Sequence, residues 1–223
     1  MIPLRDENPT RSTAFVTIAL IVANVAVFFY ELTLTTTLQV NTFFADFALV
    51  PSEILTDHTL PVYGTVISSM FLHGGWLHLI GNMLYLWIFG NNIEDCVGRI
   101  RFILFYLLCG AAAAATQVVM NPGSQVPMVG ASGAVSGVLG AYLLLFPRAR
   151  VLVLLPIFIF YRLFHVPAAL LLIFWFALQL LSGLSALGVN VSGGIAFWAH
   201  IGGFVAGMLL ILPFKKQRVR LFQ

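Results

Sequence analysis

All eleven lysines and arginines of this 223-residue chain stand in four groups that alternate with long apolar blocks. The groups are Arg5 and Arg11; Arg99 and Arg101; Arg148, Arg150 and Arg162; and Lys215, Lys216, Arg218 and Arg220. Several of the apolar blocks approach the roughly 20 residues that a helix needs to cross a bilayer. Six spans suffice, at about 14–34, 76–95, 101–120, 131–147, 167–183 and 194–213. With six spans the four basic groups share one side, which the positive-inside rule makes cytoplasmic. Both termini are then cytoplasmic too. The links 35–64, 121–128 and 184–193, on the opposite side, hold no Lys or Arg.

Composition agrees. Hydrophobic residues make up 60% of the chain and charged residues only 9%, whereas a soluble domain carries roughly a quarter charged residues. The expected fold class is an all-α polytopic membrane protein, a single membrane domain over 1–223 with the lipid bilayer as its solvent. The net charge of +3 follows from topology, so no nucleic-acid partner is expected. The apolar stretch Val151–Tyr161 is short for a span and is broken by Pro156. Counting it as a span would put Lys215–Arg220 outside, so it is placed at the cytoplasmic interface, packed against the bundle. Cys96 and Cys109 are expected as free thiols. The first block, Ala14–Leu34, is longer than a signal-peptide core and lacks a small-x-small cleavage site, so it reads as an uncleaved helix. Short polar ends without a transit segment favour a prokaryotic plasma (inner) membrane.

Polar residues inside the spans are few, and a polar group in hydrocarbon is costly without a partner or a use. Ser132 lies 16 residues before Arg148, and His200 lies 15 before Lys215. At about 1.5 Å per helical residue both sit roughly 22–24 Å above the cytoplasmic boundary. Asn82, 17 residues before Arg99, falls at nearly the same level, with His78 one turn further out. A serine hydroxyl needs an adjacent base, and neutral imidazole suits that near pH 7. A tetrahedral intermediate also needs donors aimed at its oxyanion. His78 and Asn82, spaced i, i+4 on one helix face, can supply them together with the Ser132 backbone N–H. No Asp or Glu is placed at this depth to orient the histidine, so a Ser–His dyad is expected.

Small residues support the same layer. Gly130 and Gly133 flank Ser132, and Ala199, Gly203 and Gly207 repeat every four residues around His200. Such spacing lets helix backbones approach closely.

Three motifs then stand together: His73-Gly-Gly-Trp-Leu-His78-Leu-Ile-Gly-Asn82, Gly130-Ala-Ser-Gly133 and Ala199-His200-Ile-Gly-Gly203. In order and placement they resemble the signature motifs of rhomboid proteases, and the resemblance covers nearly the whole chain. It implies a six-transmembrane-helix bundle of rhomboid type, with Ser132 and His200 as catalytic pair and His78 and Asn82 on the oxyanion. It also implies that the substrates are transmembrane proteins cut at or near their outer ends. Glu94 resembles a family position that ties the second helix to its neighbours. Two departures are visible. The first outer loop has no Arg, where some members carry a Trp-Arg pair. Position 136, where some members stack an aromatic on the histidine, is a serine, so His200 must be supported by other contacts.

No metal or organic cofactor is implied. There is no His-Glu-x-x-His run for a zinc enzyme, and Asp6, Asp46, Asp57 and Asp95 lie at or beyond the membrane edges, which argues against an aspartyl site. The rival reading is a non-proteolytic membrane chaperone or scaffold of the same fold, which tends to lose the serine or the histidine. A transporter is disfavoured by the lack of a repeat. Among the remaining residues, His73 lies about 140° around a helix from His78 and reads as structural. His58 and His165 read as interfacial, Trp76, Trp87, Trp175 and Trp198 as packing or interface-belt residues, and Asn24 as an interhelical hydrogen bond. The substrate helix is expected to enter near the fifth span, and the loop Ser182–Gly194 to act as a lid over the site.

Overall fold

The computed structural model describes residues 2–157, 160–185 and 196–222. A strand β1 (Ile2–Asp6) leads into α1 (Phe15–Glu31), three short helices α2 (Thr37–Phe47), α3 (Pro51–Thr56) and α4 (Leu60–Ser68), and then α5 (Trp76–Val97) and α6 (Arg99–Met120). After α7 (Ser132–Leu145) come strands β2 (Arg150–Ile157) and β3 (Phe160–Pro167), and finally α8 (Ala168–Ser185) and α9 (Phe197–Phe214). The fold is mostly helical, and helices α1, α5, α6, α7, α8 and α9 occupy the six apolar blocks of the sequence. Among the described residues α6, α8 and α9 are long and apolar enough to cross a membrane, while α1 and α7 are shorter apolar helices.

The α7 helix is the axis of the bundle. Eleven of its 14 residues are buried, packed against α5, α6 and α9. At 1.5 Å per residue it spans about 21 Å, less than the roughly 30 Å hydrocarbon layer. It need not face lipid, because its neighbours enclose it. Glycines make that enclosure close. An added Cβ at Gly203 would overlap the Gly133 carbonyl oxygen, one at Gly207 the Gly137 carbonyl oxygen, and one at Gly140 the Phe204 carbonyl oxygen.

The four basic groups gather at one end of this bundle. Arg99 lies over the Phe15 ring, 4.4 Å from its centroid. Lys216 donates to the Asp95 carbonyl at 2.7 Å, Arg148 donates to the Phe222 carbonyl at 2.7 Å, and Asp95 accepts from Ser12 at 2.7 Å. The opposite end carries α2, α3 and α4. Segment 35–64 is therefore more ordered than a plain loop. A capping box of Thr36 and Gln39 opens α2, and Phe43 packs its ring against Tyr30, Phe44 and Phe47. Thr-x-x-Gln is the sequence signature of that start.

The chain adds a three-stranded antiparallel sheet, ordered β1-β2-β3, to the helices. Most of the stretch Val151–Tyr161 lies in its central strand β2, with Val151 and Val153 buried and Leu152 and Leu154 partly exposed between them. β1 pairs only with residues 151–154. Pro156 falls beyond that reach, where β2 has a neighbour on one side and a missing N–H costs no ladder bond. One further expectation is revised. Asn24 donates to the Leu20 carbonyl of its own helix, at 2.7 Å, and among the described residues it makes no interhelical bond. His165, read as interfacial, forms a partly exposed pair with Glu7, at 3.0 Å. Cys96 and Cys109 are buried free thiols.

Glu94 holds α1 to α5. Its carboxylate is 2% exposed and accepts from the Val16 N–H at 3.0 Å, the Thr17 N–H at 2.7 Å and the Thr17 hydroxyl at 2.8 Å. The first N–H groups of a helix have no intrahelical partner, and the α1 N-cap Ala14 offers no side-chain acceptor, so an anion from α5 completes the cap. Replacing Glu94 by Ala strands these donors in the interior and is expected to cost about 2–3 kcal/mol of stability. The check is thermal unfolding in detergent, with Glu94→Gln intermediate.

Candidate functional site

Ser132 and His200 meet across the α7–α9 contact. His200 Nε2 lies 2.8 Å from Ser132 Oγ, a hydrogen-bond distance between residues on two different helices. The glycine pairs described above make this possible, since short side chains reach each other only if the backbones nearly touch. His200 is 8% exposed, and Ser132 is more open, facing a cavity of about 1210 Å³. His78, Asn82, Gly130, Ser132, Trp175 and His200 all line it.

Ser132 is the first residue of α7, so its backbone N–H is among those left without an intrahelical acceptor. A turn before it, Gly130 has φ +117°, a conformation that side chains rarely adopt. A Cβ there would also come within 2.6 Å of the His78 ring and 3.6 Å of Asn82 Nδ2. Gly130 thus lets His78 and Asn82 press against the turn that presents Ser132. The Gly74 N–H points at His78 Nδ1 over 3.4 Å, which leaves Nε2 to carry the ring proton. The site therefore holds a hydroxyl hydrogen-bonded to an imidazole, with several N–H groups close by: the constituents of acyl transfer.

His73 comes nearer to this group than its sequence spacing suggests. The helix begins only at Trp76, so the helical angle between His73 and His78 does not apply. Their rings lie 5.1 Å apart, edge to face, and Asn82 Nδ2 sits 3.1 Å from His73 Nε2. Burial, and then the neighbouring His78, push the His73 pKa down to about 4, so the ring stays neutral and its Nε2 accepts from the Asn82 amide. Glu31 holds the same turn, accepting the His73 backbone N–H at 3.1 Å.

Two side chains from α8 contact His200. Gln179 Oε1 is 2.8 Å from His200 Nδ1, and the Trp175 ring lies against the imidazole with centroids 5.9 Å apart at 36°. From the sequence, Gln179 has no assigned role and Trp175 reads as a packing or interface-belt residue. A signal for Gln179 was there, because it is the one amide in the apolar block 167–183 and such a group needs a partner. Ser136 does not assist the histidine; its hydroxyl donates to the Ser132 carbonyl at 2.6 Å. Of the segment 182–194, expected as a lid, residues 186–194 lie outside the described residues.

A family model described as "Rhomboid domain" matches residues 62–217. The chain is similar to "Rhomboid protein 1, mitochondrial" of Saccharomyces cerevisiae, 30% identical over 168 residues that cover 71% of this chain and 45% of the relative. It is 34% identical over 145 residues to "RHOMBOID-like protein 4" of Arabidopsis thaliana, covering 65% of this chain and 32% of the relative. It is also 40% identical over 78 residues to "Rhomboid protease GluP" of Bacillus subtilis, covering 35% of this chain and 15% of the relative. Each alignment covers less than half of the relative.

Proposed function

This chain belongs to the rhomboid family, and we propose that it is an intramembrane serine endopeptidase that cuts transmembrane segments of other membrane proteins near the outer face. The observation that carries this reading is the 2.8 Å contact between Ser132 Oγ and His200 Nε2 at the floor of an open cavity. It is a multi-pass membrane protein. We place the six helices α1, α5, α6, α7, α8 and α9 in the bilayer of a prokaryotic plasma membrane, with the basic end and both termini in the cytoplasm.

In the proposed reaction His200 Nε2 takes the Ser132 proton as Oγ attacks the scissile carbonyl carbon. Negative charge moves to the carbonyl oxygen, where the Ser132 N–H, the His78 Nε2–H and one Asn82 N–H stabilise it. As the intermediate collapses, His200 returns the proton to the leaving amine, and an acyl ester remains on Ser132. Water, deprotonated by the same nitrogen, then attacks the ester and releases the acid. Carbonyls in an intact helix are held by backbone hydrogen bonds, so the substrate segment must unwind locally. It enters beside α8, whose outer surface is largely exposed.

The second reading is a membrane chaperone or scaffold that binds transmembrane helices without cutting them. Retention of both the serine and the histidine, in hydrogen-bond contact, favours the enzyme. Reconstitution in liposomes with a single-span reporter separates the two. The enzyme releases two fragments whose masses locate one cut near the outer end of the span. A scaffold co-purifies with an intact reporter and releases nothing.

A further inference from the structure

His200 is approached on its two ring nitrogens by different helices. Ser132, on α7, faces Nε2, and Gln179, on α8, faces Nδ1. A neutral imidazole carries one proton, and the neighbour of one nitrogen settles the state of the other. An amide oxygen only accepts, so Gln179 Oε1 at 2.8 Å requires the proton on Nδ1. That leaves the Nε2 lone pair directed at the serine hydroxyl. Trp175 lies one turn before Gln179, on the same face of α8, and its ring lies beside the imidazole, tilted by 36° with centroids 5.9 Å apart. One helix thus fixes both the tautomer and the tilt of the histidine.

We infer that Gln179 is a positioning residue for the proposed reaction, its side-chain oxygen holding His200 in the tautomer that accepts the Ser132 proton, with Trp175 setting the ring plane. The inference rests on the Ser132–His200 reading above. It gives this site a neutral third member in place of a carboxylate. A neutral acceptor suits a buried site, because an anion in hydrocarbon is expensive and an amide fixes the tautomer without one. Around the histidine, the other titratable side chains lining the cavity among the described residues are His78 and Tyr85, both from α5.

The test combines nitrogen NMR of protein labelled at histidine with reporter cleavage. The parent shows His200 protonated at Nδ1 and unprotonated at Nε2. Gln179→Leu, close in volume but without an acceptor, mixes the two tautomers and lowers kcat by about 10–100-fold with KM nearly unchanged. Gln179→Glu keeps an acceptor in place, retains the Nδ1–H form and cleavage, and moves the acid limb of the pH–rate profile to higher pH, since a carboxylate favours the protonated ring. Parent-like tautomer and kcat in Gln179→Leu overturn the inference. So does a kcat loss shared equally by Leu and Glu with the tautomer unchanged, which marks Gln179 as packing. If the parent cuts no substrate, the functional reading falls, and the nitrogen spectrum of the Leu variant still decides whether Gln179 sets the tautomer.

Discussion

Ser132→Ala and His200→Ala are each expected to lower reporter cleavage by at least about 10⁴-fold while leaving the folded protein intact. The two residues act as one unit, so the double variant should be no worse than either single one. In the proposed reaction, removing the hydroxyl takes away the atom that forms the ester. Removing the imidazole leaves a hydroxyl at its ordinary, weak nucleophilicity. Neither change is expected to disturb the bundle, because Ser132 lies at a helix start and both side chains line the cavity. Circular dichroism and thermal unfolding should match the parent within error. Asn82→Ala should fall between, because in the proposed reaction it removes one oxyanion donor, worth about 10²–10³-fold in kcat.

The second large effect belongs to a residue that touches no substrate. Gly207 faces the backbone of Gly137, and a Cβ on it would overlap that carbonyl oxygen. A flexible side chain can give way to a methyl group, and a helix backbone cannot. Gly207→Ala must therefore push α9 away from α7. The expected cost is about 1–3 kcal/mol of stability, or more. Because Ser132 rides on α7 and His200 on α9, the same displacement opens their hydrogen bond. A shift of about 1 Å is enough for a loss on the order of 10²-fold in turnover. Gly64→Ala is the matched control. Nothing lies within 4 Å of a Cβ there, so stability and turnover should stay at the parent level, or stability rise slightly with the better helix former. Equal behaviour of the two alanine variants would show that the α7–α9 approach does not matter.

What the sequence made legible was whatever depends on local pattern and on depth along the bilayer normal. Apolar length located the helices, and counting residues from the basic groups put Ser132, His200 and Asn82 in one layer. The small-residue repeats around Ser132 and His200 announced the close approach that makes their contact possible. Depth alone does not give rotation about a helix axis, and the Gln179–His200 contact depends on that rotation. The lone amide in 167–183 signalled a need for a partner without naming it. His73 was hidden for a different reason: its helical angle to His78 assumed a helix that starts only at Trp76. The β2 strand was hidden because a wholly apolar run shows no alternation from which to read a period of two. Its pairing with β1, almost 150 residues earlier in the chain, is non-local in the same sense.

The central claim is that Ser132 is a nucleophile activated by His200, and covalent capture tests it most directly. Purified protein in detergent is treated with a fluorophosphonate, digested, and the modified residue located by mass spectrometry. The account predicts a single phosphonyl adduct on Ser132 in the parent. It also predicts no adduct in Ser132→Ala and strongly slowed labelling in His200→Ala. An unmodified Ser132 in protein that cleaves the reporter, or labelling equally fast without His200, would contradict it.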